Sequence, residues 1–171
     1  MNMTLLAALL AMAISGPALA ANSCSKAKVA GEQVVASTNA IALSDVQRCA
    51  ASFVQSYYNI TPATATGAKD QALVVMSGKL RETQAAPLDE QATQSVQQEI
   101  TQRFVIDSGL NIKTDADSGY HVEFRGTRTR STLNTVFSAK KYAVKLLIRT
   151  VQPSPTQDWA MVVDEITASE I

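Results

Sequence analysis

The stretch "GYHVEFRGTRTRST", Gly119 to Thr132, decides the fold class. Tyr120, Val122 and Phe124 alternate with His121, Glu123 and Arg125, the two-residue period of a strand with one dry and one wet face. Downstream, "KYAVKLLIRTVQ" repeats the pattern: Tyr142, Val144, Leu146 and Ile148 share one face, and the other is partly basic. "RFVIDSGLNIKT" before them and "DWAMVVDEIT" after them are also strand-like, and the turn-forming "DADSG" and "PSPTQD" bound these runs.

Upstream the period lengthens to that of a helix. In "ALSDVQRCAASFVQSYYNI", Ser44 is a candidate N-cap, and Val46, Cys49, Ala50, Phe53, Val54 and Tyr57 follow helical spacing. "ITPATATGAKDQALVVMSGKLRETQ" offers Thr61 as N-cap with Pro62 at the first helical position, and Gly67 and Gly78 leave open a division into two shorter helices. A further helix is expected in "APLDEQATQSVQQEITQRF", with Asp89 and Glu90 at the favourable end of its dipole and Leu88, Ala92, Val96 and Ile100 on one face. Helices followed by strands predict an α+β domain, N-terminal helices packed on a curved antiparallel four-stranded sheet.

The chain has 171 residues, 46% of them apolar, enough for one core and too few for two comfortable domains. Fifteen basic residues balance fifteen acidic ones, so no net charge draws the molecule to nucleic acid or anionic lipid. Residues 1–20, "MNMTLLAALLAMAISGPALA", read as a signal peptide: an apolar run broken by Gly16-Pro17 before small residues, with cleavage expected after Ala20 and export to the periplasm. Two other fates stay open. The uncharged run approaches the length of a spanning helix, which would hold the chain at the inner membrane facing the periplasm, and Cys24 is a site for lipidation. Residues 21–40 read as a flexible lead-in, and residues 41–171 as the single folded domain.

Export gives Cys24 and Cys49 an oxidising setting in which they can bridge; the other reading is a buried Cys49 and a free Cys24. No metal site and no cofactor are expected from two cysteines and one histidine. His121 has no nucleophile placed beside it by any motif, the neighbouring carboxylates Asp89-Glu90 and Asp164-Glu165 diverge, and the glycines do not form a phosphate loop. The sequence therefore predicts no enzyme.

Two groups remain as binding candidates. Arg125, Arg128, Arg130, Lys140, Lys141, Lys145 and Arg149 form a basic cluster, open to an acidic partner, to DNA, or to reading as a solvated strand face. Few aromatics interleave with it, which weighs against DNA contact. Phe53 and Tyr57, four apart, would face inward, with Tyr58 about 100 degrees round the helix. They suit a core, a partner groove or a small apolar ligand cavity.

From Leu43 onward the chain resembles the TraE family of F-type conjugation systems, within the inner-membrane scaffold proteins of bacterial type IV secretion. The stretches that carry the resemblance are Ala50–Leu80, Glu123–Ile148 with its Arg125-Gly126 and Lys141-Tyr142 pairs, and the strand around Trp159. It implies a periplasmic domain similar in fold to nuclear transport factor and a non-enzymatic scaffold role through contacts with other secretion components or a second copy. Arg125, Arg128, Arg130, Lys141 and Tyr58 are the expected interface residues. Family members keep the N-terminal hydrophobic helix as an anchor, and the two cysteines are not part of their pattern. A periplasmic small-ligand-binding domain of the same fold is the alternative.

Overall fold

A computed structural model describes residues 41–114, 119–133, 135–152 and 160–171. The signal segment, the lead-in, Cys24 and Trp159 lie outside them. Three helices come first: α1 (Leu43–Tyr58), α2 (Ala65–Val74) and α3 (Gly78–Gln97). Five strands follow: β1 (Ile100–Ile106), β2 (Asn111–Thr114), β3 (Gly119–Thr132), β4 (Thr135–Thr150) and β5 (Met161–Glu170). All pairings are antiparallel, in the order β1-β3-β4-β5, with β2 beside β3 on the same edge as β1. The α+β class is as read from the sequence. The fifth strand arises because the run "RFVIDSGLNIKT" breaks at Asp107–Leu110 and lays two short strands end to end along the long β3.

The core lies between the helices and one face of the sheet. From α1, Val46, Cys49, Ala50, Phe53 and Val54 are buried at helical spacing, against Val122, Phe124, Val144, Leu146 and Ile148 from β3 and β4. Hydrophobic burial on this face is the dominant favourable contribution to folding. Cys49 is fully buried, and no free cysteine stands among the described residues.

Helix boundaries differ from expectation for identifiable reasons. Ala42, not Ser44, occupies the N-cap of α1, without a side-chain bond. Thr61 and Thr64 each accept a hydrogen bond from the other's N–H, at 3.1 and 3.2 Å, closing a turn before α2 begins at Ala65. The divided reading of the next segment holds: the chain leaves helical geometry at Val75–Ser77 and runs beside β5, with Ser77 N–H bonded to the Val163 carbonyl and Val163 N–H to that of Val75, both at 2.8 Å. Arg81 donates to the carbonyls of Leu73 and Val74 at the end of α2 and to that of Met76 just beyond it.

Ser77 then caps α3 by accepting from Leu80 N–H at 3.3 Å, and the helix runs unbroken past Pro87. Asp89 and Glu90 therefore sit mid-helix rather than at a helix start, and Asp89 takes the Lys69 ammonium of α2 at 2.8 Å. Val96 is exposed, Ser95 is buried in its place with its hydroxyl on the Ile100 carbonyl, and Ile100 opens β1.

Candidate functional site

At the end of the sheet furthest from the apolar core the same face turns polar. Strand parity puts Tyr120, Val122, Phe124, Gly126, Arg128 and Arg130 on the helix side of β3. The register pairs Gly126 with Tyr142, Arg128 with Lys140 and Arg130 with Ser138. β4 begins at Thr135, so β3 and β4 form one long hairpin, irregular near Arg130/Ser131, with Leu133 at its tip in positive φ (44°).

An aromatic ladder leads from the core to this end. Phe53 stacks on Tyr57, Tyr57 meets Tyr58 edge-on, and Tyr58 stacks on Phe104 at 4.7 Å between centroids. Phe104 also crosses the backbone at Gly126: a Cβ there would lie 2.3 Å from the ring and 2.5 Å from the Val105 carbonyl oxygen. Only glycine lets the ring lie flat at that point, which accounts physically for the Arg125-Gly126 pair. Asn59, just past α1, accepts Phe104 N–H at 2.6 Å and ties the ladder to β1.

Beyond the ladder lies a cavity of about 330 Å³ lined by Tyr57, Tyr58, Gln91, Gln94, Gln102, Arg128, Arg130, Tyr142 and Ala168. Each layer supplies part of it: the last turn of α1, the glutamine face of α3, and four strands of the sheet. Gln102 is buried and donates to the Tyr58 carbonyl at 3.0 Å, while Tyr57 donates its phenol proton to Gln84 at 2.7 Å. Arg128 lies over the Tyr142 ring, 4.5 Å from its centroid, and donates to its hydroxyl. Arg130 approaches Phe137, and its Nε is buried with no hydrogen-bond partner.

Among the described residues no carboxylate lines the cavity, so its guanidinium groups leave it positive. Burial raises the Tyr57 phenol above its usual range, only partly opposed by Arg128, and raises Tyr58 further with help from Tyr57. Both phenols are thereby favoured in their neutral, hydrogen-bonding form. The chemistry on offer is recognition of a negative or acceptor-rich group.

The residues predicted from sequence divide. Arg128, Arg130, Tyr57 and Tyr58 meet at the cavity; Phe53 lies deeper, fully buried in the core. Arg125 and Lys141 are exposed on the opposite face, because Arg125 pairs with Ala143 and Lys141 with Thr127. Lys145 faces Glu123 at 3.2 Å and Arg149 holds Asp164 at 2.9 Å. His121 is exposed on that same outer face. The pleat splits the basic cluster as alternation along each strand directs, with Arg128 and Arg130 on one face and Lys145 and Arg149 on the other. Gln91, Gln94, Gln102 and Tyr142 were not foreseen as site residues; the glutamine-rich face of α3 was the signal, and it reads equally well as solvated.

No protein-family model matches the chain, and neither does any curated protein. Solved structures do. An IcmL-like type IV secretion system protein from Legionella pneumophila superposes with a TM-score of 0.62 at 10% identity, covering 75% of this chain and 92% of that one. The periplasmic domain of DotI gives 0.61 at 10% identity over 78% and 99% of the two chains, and the TraE protein in complex with 2-(2-furyl)isonicotinic acid gives 0.52 at 9% over 71% and 92%. The chain therefore has the nuclear-transport-factor-like fold of these secretion proteins.

Proposed function

We propose that the chain is a non-enzymatic assembly component of a bacterial conjugative type IV secretion system that works through protein contacts in the periplasm. The observation that carries this reading is the likeness of fold to such proteins, spanning nearly the whole DotI periplasmic domain. The site agrees with it: a charged recess with neutral phenols suits recognition. No described helix is long and apolar enough to cross a membrane. On this reading residues 1–20 direct export and are removed, and Cys24 bridges to Cys49, pinning the lead-in to α1.

The partners are other components of the apparatus and a second copy of the chain, without cofactor and without direct DNA contact. The alternative, a small-ligand-binding domain, would use the same cavity, whose arginine and glutamine lining fits a polar anion better than an apolar molecule.

The test is cross-linking of the full-length chain in the envelope of a conjugating donor, with mass spectrometry of what it captures. Capture of other transfer components, and loss of transfer on deletion, is expected. A chain that captures none and whose deletion leaves transfer intact would overturn the reading. Intact mass of the purified protein checks the rest: Ala21 to Ile171, two hydrogens lighter than after reduction.

A further inference from the structure

β5 pairs with β4 only from Tyr142 to Thr150, whereas β4 begins at Thr135. Among the described residues, no strand lies beside Thr135–Lys140 on the β5 side. That edge is a template for another strand. Ile171 N–H bonds the Lys141 carbonyl on this side, at 3.1 Å. N–H and C=O of one residue point to the same edge and alternate along a strand, so those of Ala139, two residues back, also face the open edge.

The open edge adjoins the cavity. On the helix side, Arg130 is paired with Ser138 and Arg128 with Lys140, and Ala168 near the end of β5 lines the same recess. An added strand would continue the line of β5, and its helix-side residues would stand two strand spacings, roughly 10 Å, from the backbone of Arg128 and Arg130. An arginine and a glutamate side chain span that distance between them. The buried Arg130 Nε lacks an acceptor, and Lys140 and Lys141 add positive charge along the edge, with Glu170 bridged to Lys140 at 2.8 Å.

We propose that this edge takes an extended acidic segment of a partner protein as an added strand, with one carboxylate entering the cavity between Arg128 and Arg130. Backbone bonds would supply affinity and the arginines the preference for acid, the division of labour seen in strand addition generally. The inference rests on the reading of the chain as an assembly component and names the kind of segment it holds.

The experiment titrates the full chain with a capped Val-Glu-Val-Glu-Val-Glu-Val peptide and its glutamine counterpart, at low and high salt. Saturable binding of the acidic peptide is expected, at least about tenfold tighter than the glutamine form and weakening with salt. Ala139→Pro removes one edge N–H while leaving the β3 ladder intact, and Arg130→Gln removes the guanidinium. Each should weaken the acidic peptide by about tenfold or more at an unchanged unfolding midpoint. If Ala139→Pro does not fold, Arg130→Gln decides alone. Equal binding of both peptides, no saturable binding, insensitivity of a folded variant, or a self-dimer that the peptide does not compete with would overturn the proposal. Capture of secretion components in the envelope by an Ala139→Pro chain as well as by the wild type would retain the assembly role while removing this surface from it.

Discussion

The two halves of the β3–β4 hairpin are continuous in backbone and opposite in chemistry. From Tyr120 to Phe124, paired with Val144 to Ile148, the helix-side residues are apolar and sealed under α1. From Arg128 to Arg130, paired with Lys140 and Ser138, they are cationic, line an open cavity and leave an atom without a partner. A fold optimised only for stability would carry the first pattern to the end of the hairpin. That the polar pattern occupies a face which helices approach points to use rather than packing.

Substitutions can break that contrast, and the largest effect belongs to the sealed half. Phe53 is 1% exposed and stacks on Tyr57. Phe53→Ala is expected to cost about 3–5 kcal/mol, the transfer term plus the void left behind, measured by denaturant unfolding. An effect below about 1 kcal/mol would mean that the sealed half is looser than its burial indicates.

Gly126 sits at the border between the halves. With the Phe104 ring and the Val105 carbonyl both inside contact distance of a Cβ, Gly126→Ala is expected to destabilise by about 1–3 kcal/mol. Phe104 is itself stacked against Tyr58, so its ring has little room to yield. Adding Phe104→Leu should recover part of the alanine's cost, a coupling that a double-mutant cycle reads directly. Strict additivity would show that the strain lies in the backbone alone.

Much of the sealed half was legible in the sequence, because alternation in "GYHVEF" and helical spacing in "VQRCAASFV" are short-range records of burial. The cationic half was legible in composition and in part of its arrangement, since alternation alone puts Arg128 and Arg130 on one strand face if the pairing runs that far. That this face is the inward one, with Arg125 and Lys141 outward, depends on the β3–β4 register, which continues as a paired hairpin to Thr132 and Thr135. Tyr142 followed the apolar alternation correctly and still became a site residue, because its partner across the ladder is Gly126 and its ring lies under Arg128. The run of α3 through Pro87 was missed because proline is a strong breaker signal locally, whereas the Ser77 cap and the burial of Leu88 hold that helix together from both sides.

A smaller effect tests how the helices are fastened to the sealed half. Burial opposes the charge on Asp164, but hydrogen bonds from Arg149 and Ser77, with the charges of Arg149 and Lys79, outweigh it and hold the carboxyl below its usual value. A depressed folded value means that the contribution is present above the unfolded carboxylate range and is lost as pH falls through the folded value. Asp164→Asn is therefore expected to cost about 0.5–1.5 kcal/mol at neutral pH, with the gap from the wild type closing in acid. A gap independent of pH would assign the loss to packing and not to charge.

The smallest stability effect is expected in the cationic half. Arg130→Met removes a guanidinium whose Nε has no partner and keeps an unbranched stem of comparable girth, giving up the approach to Phe137 at 5.7 Å. Removing a half-buried guanidinium whose Nε is buried without an acceptor relieves part of a desolvation penalty and orphans no partner of that atom, so unfolding stability should stay within about 0.5 kcal/mol of the wild type or rise. Binding of the acidic peptide should fall in the same variant. That dissociation, stability held while recognition is lost, separates a residue kept for a partner from one kept for the core. If Arg130→Met instead destabilises as Phe53→Ala does, the arginine is structural, and the contrast between the two halves reduces to two ways of filling the same space.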